Sequence, residues 1–331
     1  MMGRMTEGKR RGRCEMEFRG EQGGVPKCNL GTREAFVKFM LLISFMFSCW
    51  NFRGGRHLPA CLGVGNIAYR FMLRFTILGS GSSGNCAYLE TDDTRLLVDA
   101  GFSAKQIELR LNAIGRSLTG VQAIFLTHEH SDHTCGLPVV AKRHNIPVYC
   151  NRLTAESLRT QMPGFSAWRL FESGGTVELG DLKVNSFPVP HDAYDPVGFM
   201  FYHALGNIGF LTDLGYATKL VIERVRQARA LVLEANHDLG LLQNDTRRPW
   251  AVKQRILSRH GHLSNDAAAD VAAEVVTDLM EDLYLGHLSA DCNTPDHARA
   301  AVGGRLAQQG RGSVRVHDTA VDRACATLVW S

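Results

Sequence analysis

The chain has 331 residues, of which 45% are hydrophobic, enough for one large domain or two ordinary ones with a buried core. Residues 1–71 carry twelve Lys and Arg against five Glu, a net charge of +7. Because the whole chain carries +4, the remaining residues carry a net charge of −3. This mildly acidic remainder has no general electrostatic affinity for nucleic acid, and such a substrate has to be inferred from a specific site.

Residues 1–71 differ from the rest, and we expect an N-terminal extension that is either disordered or a mis-assigned start ahead of a natural first residue at Met72. They contain six of the ten methionines and Gly/Arg-rich stretches without a sustained period. The apolar run at residues 39–50 is too short to span a bilayer but is similar to a signal-peptide core. An export or membrane-anchoring segment is therefore the alternative interpretation.

The cysteines outside this extension show no paired spacing, which indicates reduced thiols and a cytoplasmic location. There are five of them: Cys86, Cys135, Cys150, Cys292 and Cys325. We expect residues 72–331 to have no stable membrane partner, and the sequence leaves the oligomeric state open.

From residue 72 onward, predicted strands alternate with predicted helices. In chain order, we predict strands at residues 73–78, two within 86–98 and one at 121–126, a helix ending near residue 144, a strand at 146–150, a helix at 151–162, and hairpins at 176–187 and 198–211. There follow a helix at 218–229, a strand at 230–234 and a helix at 249–259. The next predicted helix is capped by Ser264 or Asn265 and has Val271, Val275 and Leu279 on one face. After it we predict a strand at 283–285, a helix from Thr294 and a strand at 313–316. The hairpins favour two mixed sheets between helices over a doubly wound parallel sheet.

The sequence GSGSSGN at residues 79–85 has the G-x-G-x-x-G spacing of a dinucleotide-binding loop. That loop requires a helix after the glycines, because the N–H groups of the helix N-terminus bind the pyrophosphate. Here an extended run follows the glycines, so the sequence argues against a nucleotide cofactor.

The strongest motif is H-x-H-x-D-H, formed by His128, His130, Asp132 and His133 directly after the predicted strand at 121–126. Three imidazoles and a carboxylate on one strand-end loop can converge on cations such as zinc, manganese or iron. The alternative is a solvated polar loop that is rich in histidine. The apolar sequence around the loop favours a metal site.

Three more candidate ligands each follow an apolar strand, where the chain would turn back toward the same edge of a sheet. His191 follows VNSFPVP, Asp213 follows IGFLT, and His287 follows LYLG. Taken singly, each is as well explained by a capped turn or a surface histidine. As an ordered set after the H-x-H-x-D-H loop, they are more specific.

Together with Asp99 in RLLVDAG, this ordered set resembles the five motifs of the metallo-β-lactamase superfamily. The resemblance implies an α/β protein with the αββα sandwich of the metallo-β-lactamase fold, in which helices flank two mixed β-sheets and the metals lie at the sheet edge. It implies two divalent metal ions, zinc or manganese, the first held by His128, His130 and His191 and the second by Asp132, His133 and His287. Asp213 would bridge them. Asp99 would orient the ligand loop through hydrogen bonds, although a plain turn residue is the alternative.

A closer resemblance is to the YycJ/WalJ-like branch of this superfamily. It rests on LGSGSSGNCAYLE, THEHSDH, LVLEANHD, RHGHLSN and LGHLS, and it covers nearly all of residues 72–320. It implies that residues 72–331 are a hydrolase domain acting as a metal-dependent phosphodiesterase, a 5′-to-3′ exonuclease on single-stranded DNA. The resemblance to RNase Z and RNase J enzymes is more distant, and the N-terminal extension departs from the family pattern.

In this interpretation, a hydroxide shared by the two cations attacks phosphorus in line, with Asp132 and Asp213 holding the cations and His262 as a further catalytic residue. His262 precedes a predicted helix, where it could bind the scissile phosphate or protonate the leaving oxygen, or simply be a helix-entry residue.

The predicted substrate contacts are Ser82, Ser83 and Asn85 in the glycine loop, together with His237 and His262. Alternatively, the glycine loop is only a tight connection between strands without a ligand contact. His237 and Glu234, which end a predicted strand, could likewise only pack in the interior.

Two other functions stay open. A thioester or lactone hydrolase would use the same metals on the same scaffold, although the hydroxyl-rich loops are better suited to phosphate. The other open function is that of a non-catalytic metal-binding partner in a signalling system, with a vestigial hydrolase site. A degraded site should have lost ligands, whereas this chain keeps a candidate ligand at every position of the family's motifs.

Overall fold

The computed structural model describes residues 71–331. In this range, the strands form two seven-stranded mixed sheets, and helices cover the outer face of each. This arrangement confirms the predicted αββα sandwich. The predicted extension, apart from Phe71, lies outside the described residues and stays a prediction.

The first sheet has the strand order β14-β1-β2-β3-β4-β5-β6. Its strands are β1 (Leu73–Gly79), β2 (Cys86–Thr91), β3 (Arg95–Val98), β4 (Ala123–Phe125), β5 (Val148–Cys150), β6 (Trp168–Leu170) and β14 (Leu328–Trp330). Neighbours from β14 to β3 are antiparallel, and those from β3 to β6 are parallel. Because β3 and β4 run parallel in register, the segments that follow them leave the same edge of the sheet.

The second sheet has the strand order β13-β12-β11-β10-β9-β8-β7. Its strands are β7 (Thr176–Leu179), β8 (Leu182–Pro188), β9 (Val197–Tyr202), β10 (Ile208–Leu211), β11 (Ala230–Glu234), β12 (Asp282–Gly286) and β13 (Arg315–Asp318). The hairpins β7–β10 are antiparallel, as predicted, whereas β10 to β13 are parallel. Strands β8, β10, β11 and β12 therefore share one direction and end at one edge.

Most of the nine helices described in residues 71–331 begin at a polar residue whose side chain accepts a hydrogen bond from the first turn, as at Ser264 and Thr294. The helices are α1 (Ala104–Ala113), α2 (Ser131–Thr134), α3 (Leu137–His144), α4 (Arg152–Leu158), α5 (Lys219–Val225), α6 (Leu239–Asn244), α7 (Trp250–Ile256), α8 (Asn265–Val275) and α9 (Pro295–Gln308). α1, α3 and α4 pack on the first sheet, and α5, α8 and α9 on the second.

The central core lies between the sheets, where inward-facing residues of both are fully buried. Phe125 of the first sheet meets Phe199 and Phe201 of the second edge to face, at ring-centroid distances of 5.7 and 6.1 Å. Apolar side chains on the outer faces pack under the helices, so both sheets are buried on two sides. This rigid layer holds the strand ends that carry the candidate site.

Several details differ from the predictions. Helix α8 ends at Val275, so Leu279 is not on its buried face and is 66% exposed. The sequence pattern missed β6 and β14, which have three residues each, too few to show a period. Within residues 71–331 the five cysteines are free, and no helix has the length and apolar character needed to cross a membrane.

Candidate metal centre

The H-x-H-x-D-H loop leaves the end of β4 and turns at once into the short helix α2. The loop is pressed against the segment after β3, where a Cβ on Gly101 would overlap the carbonyl oxygen of Asp132. Asn85 also holds it, since the Asn85 N–H donates to the Asp132 carbonyl at 2.8 Å. Glycine is therefore required at position 101 because two backbones approach closely there.

His128, His130 and His191 form the first ligand cluster, with one ring nitrogen of each within 4.8 Å of the others. Nε2 of His191 lies 3.4 Å from Nδ1 of His130. Nδ1 of His128 lies 3.0 Å from the Thr127 hydroxyl, which leaves Nε2 of His128 buried without a hydrogen-bond partner. Burial lowers the pKa of His128 and of His191, so both imidazoles tend to be neutral, as metal ligands must be.

Asp132, His133, Asp213 and His287 form the second cluster. Nε2 of His133 lies 3.4 Å from Oδ2 of Asp132 and 3.2 Å from Oδ2 of Asp213. Nε2 of His287 lies 3.2 Å from Oδ2 of Asp132 and 3.1 Å from Oδ1 of Asp213. Burial would lower the pKa of His287, but the charge of Asp213 and the hydrogen bond with Asp132 raise it to about 10.

Both clusters fit divalent cations. Two ligands bound at 2.0–2.2 Å to a tetrahedral ion stand about 3.3–3.6 Å apart, close to the separations observed here. The unpartnered Nε2 of His128 would otherwise be a buried polar atom without compensation. Asp213 lies near both clusters, since Oδ1 is 3.8 Å from Nε2 of His191 and 3.1 Å from Nε2 of His287. This position is compatible with the predicted bridge.

Three of the residues that end strands at this edge have a left-handed backbone. Asp99, Asp213 and His287 have φ values of 61°, 58° and 56°. Residues other than glycine rarely adopt this conformation, and it persists only where the surrounding structure enforces it. Such conformations are concentrated at functional sites, and here Asp213 and His287 contact each other while Asp99 contacts His133.

Asp99 contacts His133 and Thr127, and the orienting role predicted for it stays a prediction. Its Oδ2 lies 2.8 Å from Nδ1 of His133, and its Oδ1 accepts the Thr127 N–H at 2.9 Å. The Thr127 hydroxyl contacts both Asp99 oxygens and Nδ1 of His128. The pattern did not identify Thr127, because serine and threonine are common in any loop.

Glu234 has a larger part in the site than the sequence indicated. It is fully buried, Oε1 lies 2.7 Å from Nδ1 of His262, and Oε2 accepts the Leu263 N–H at 3.1 Å. It also lies 3.2 Å from Nδ1 of His287, and with Asp213, His262 and His287 it forms a third possible ligand group. Burial would lower the pKa of His262, but the Glu234 carboxylate raises it. The sequence feature that could have identified Glu234 is its position as a charged residue at the end of an apolar strand.

The glycine loop has two exposed side chains, Ser82 and Ser83, as the predicted substrate contacts require. Asn85 is different: it is buried, its Oδ1 accepts from Ser80 and Gly81, and its Nδ2 lies 3.2 Å from Nε2 of His133. The prediction that Asn85 is presented to a substrate is therefore wrong, because its amide is buried and joins the loop to the candidate ligands Asp132 and His133.

His237 is also buried, with Nδ1 3.3 Å from Oδ1 of Asn236, and its predicted contact with substrate is not supported. The neighbouring Asn236 was missed by the sequence analysis, and it donates to the His287 carbonyl at 2.9 Å. The glycines themselves serve packing, since a Cβ on Gly84 would overlap the ring of Phe102.

A family model described as "Beta-lactamase superfamily domain" matches residues 94–287. The chain is 39% identical over 253 residues to the Exodeoxyribonuclease YycJ of Bacillus anthracis, covering 75% of this chain and 95% of that protein. It is 38% identical over 258 residues to the Exodeoxyribonuclease WalJ of Streptococcus pneumoniae, covering 76% and 96%. The solved structure of the metallo-β-lactamase fold protein YhfI from Bacillus subtilis shares the fold, with a TM-score of 0.59 at 16% identity over 79% of this chain and 99% of that one. The chain therefore belongs to the metallo-β-lactamase superfamily, in its YycJ/WalJ-like branch.

Proposed function

We propose that this chain is a metal-dependent nuclease that degrades single-stranded DNA from the 5′ end. The observation that carries the proposal is the pair of adjacent clusters, one of three histidines and one that contains Asp213, next to the buried pair Glu234–His262. The names of the YycJ and WalJ relatives, exodeoxyribonucleases that this chain matches over almost their whole length, support the same activity. Five free cysteines in residues 71–331 favour a reducing compartment such as the cytoplasm.

We infer two divalent ions, zinc or manganese, because the two clusters together offer five imidazoles and two carboxylates. Such ions, when bound, supply a nucleophile from water at neutral pH and neutralise charge on the phosphate. The protein sets the ligand geometry: Asp99 and Thr127 hold His133 and His128 so that each turns Nε2 to the cluster.

His262 is the chain's own candidate for proton transfer. Glu234 raises its pKa and binds Nδ1, so that Nε2 can hold a proton beside the clusters. The His262 side chain is only 20% exposed, and its ring lies 5.2 Å from that of His287. From this place it can donate a hydrogen bond to a phosphate oxygen or a proton to the leaving oxygen. Ser82 and Ser83, exposed on the glycine loop, are proposed to contact the same strand.

The decisive experiment is a degradation assay on 5′-labelled and 3′-labelled single strands of DNA and RNA with zinc or manganese. We expect mononucleotide release from the 5′ label on DNA and a descending ladder from the 3′ label. His130→Ala, which removes a ligand that is not part of the buried core, should be inactive while keeping its fold. If the metal-loaded protein hydrolyses thioesters or lactones and leaves all four nucleic-acid substrates intact, the proposal is wrong.

A further inference from the structure

The segment at residues 246–263 has a charge that the net charge of the chain hides. It contains five Lys and Arg and no Asp or Glu, although residues 72–331 as a whole carry −3. It includes helix α7, and it ends at His262 beside the metal clusters. Three of these cations are neutralised by carboxylates, since Arg247 and Arg248 pair with Asp245 and Asp291, and Arg255 pairs with Asp192. Arg259 has no carboxylate partner among the described residues, and a free cation next to a site for phosphodiesters can contact a nucleic-acid backbone.

Helix α7 is exposed around almost its whole circumference. Only Lys253 is buried, and its Nζ donates to the carbonyl of Gln243 at 2.8 Å. Trp250 is 62% exposed, and Val252 and Leu257 are also exposed. A helix of a globular protein normally buries its apolar residues, so an exposed tryptophan with further exposed apolar side chains beside it indicates a binding surface.

The turn after α7 is fixed to the loops that carry the candidate ligands. Nδ1 of His191 lies 3.0 Å from the carbonyl oxygen of Gly261, and a Cβ on Gly215 would overlap the backbone of Arg259. Arg255 contacts the carboxylate of Asp192, next to His191. Because α7 is about 10 Å long, Trp250 lies roughly that distance from the end of the helix that is fixed to the site.

The loop after His191 adds a second aromatic side chain on this side of the site. Tyr194 is 69% exposed, and its backbone N–H donates to Glu129, between His128 and His130, at 3.0 Å. Arg259 stacks on Tyr216, with the guanidinium carbon 4.1 Å from the ring centroid. Exposed aromatic rings on which bases can stack, together with cations that contact the backbone, are how proteins bind single strands without reading their sequence.

We propose that α7 and the loop after His191 form a platform for single-stranded DNA outside the metal centre. Bases stack on Trp250 and Tyr194, and Arg259 contacts a phosphate. The inference rests on the proposed function, and it names the surface that holds the strand beyond the scissile nucleotide. It accounts for the apolar side chains of α7 that the fold leaves exposed.

The test compares Trp250→Ala and Arg259→Ala with two controls at the opposite end of the second sheet, Leu279→Ala and Arg311→Ala. For a ten-nucleotide thymidine strand, Trp250→Ala should raise KM about tenfold, equivalent to about 1.4 kcal/mol of stacking, with little change in kcat. The loss should grow with strand length from a dinucleotide upward. Arg259→Ala should reduce the slope of log K against log salt by about 0.7, as expected for one lost phosphate contact. Both controls should behave as the wild type.

Unchanged KM and salt slope in both platform variants would overturn the inference, even if the wild type degrades DNA. A wild type that binds the labelled strand but does not cleave it would refute the proposed nuclease function, and its fluorescence anisotropy would still test the platform. If Trp250→Ala turns a dimer into a monomer in sedimentation without weakening DNA binding, the face is a contact between copies and the inference is wrong.

Discussion

Replacing Asp99 with asparagine should weaken metal binding without disturbing the fold. Oδ1 of Asp99 accepts the Thr127 N–H at 2.9 Å, and Oδ2 lies 2.8 Å from Nδ1 of His133. In Asp99→Asn, the amide oxygen has to keep the bond from Thr127, so the amide N–H₂ group faces His133. Nδ1 of His133 must then accept a hydrogen bond, and the proton moves to Nε2, the atom that faces the cluster.

Loss of such a partner of a metal-binding histidine lowers metal affinity about 10- to 100-fold, which is about 1.4–2.7 kcal/mol. Asparagine tolerates the left-handed backbone that Asp99 adopts at φ 61°, so the substitution adds little strain. The change therefore isolates the hydrogen bond, whereas alanine at this position would also strain the backbone.

The assay is a titration of metal-free protein with zinc in competition with a chromophoric chelator. Asp282→Asn is the matched control, because Asp282 is equally buried and hydrogen-bonded to a histidine, with Oδ1 2.7 Å from Nε2 of His317. Asp282 is the first residue of β12 and the candidate ligand His287 follows its last residue, so Asp282 lies at the end of the strand away from the candidate ligands. We expect the control to keep wild-type zinc affinity. Equal affinity in Asp99→Asn, with an unchanged melting temperature of the metal-free protein, would refute the reasoning.

Glu234→Gln should lower kcat for DNA at least tenfold, because a neutral amide no longer raises the pKa of the His262 imidazole. Steady-state kinetics at equal metal content measures this effect. Gly101→Ala should cost about 1–3 kcal/mol and reduce metal content, since its Cβ would overlap the carbonyl of Asp132; wild-type values in thermal unfolding and metal analysis would contradict this. Asp282→Asn should cost about 2 kcal/mol at pH 7. Burial would raise the pKa of Asp282, but hydrogen bonds from His317 and Arg315 lower it below its value in the unfolded chain, which is about 4. The stability that the Asp282 carboxylate contributes is therefore fully present above this unfolded pKa and is lost as the pH falls through the folded pKa. In urea unfolding, the difference in stability between the wild type and Asp282→Asn should therefore be constant from pH 7 to about pH 5 and should shrink as the pH falls below about 4.

The candidate ligands could be found in the sequence because each is local to a signal. The H-x-H-x-D-H motif places four of them within six residues, and His191, Asp213 and His287 each follow an apolar run that predicts a strand. Strands with a common direction end at one edge of a sheet, so their following residues come together. The metal-binding function assigned to these residues stays a prediction, although the structure brings them together as it requires.

The sequence by itself thus determined the family, the αββα layers and the cluster of candidate ligands, because hydrophobic period and motif spacing depend on neighbours along the chain. Only the tertiary structure decided which polar side chains face inward. Asn85 contacts Asp132, 47 residues later in the chain, and Glu234 reaches His262 across 28 residues. The exposure of α7 was likewise hidden, because the sequence does not show whether another segment covers its apolar residues. Burial is set by packing between distant segments, and no local pattern contains that information.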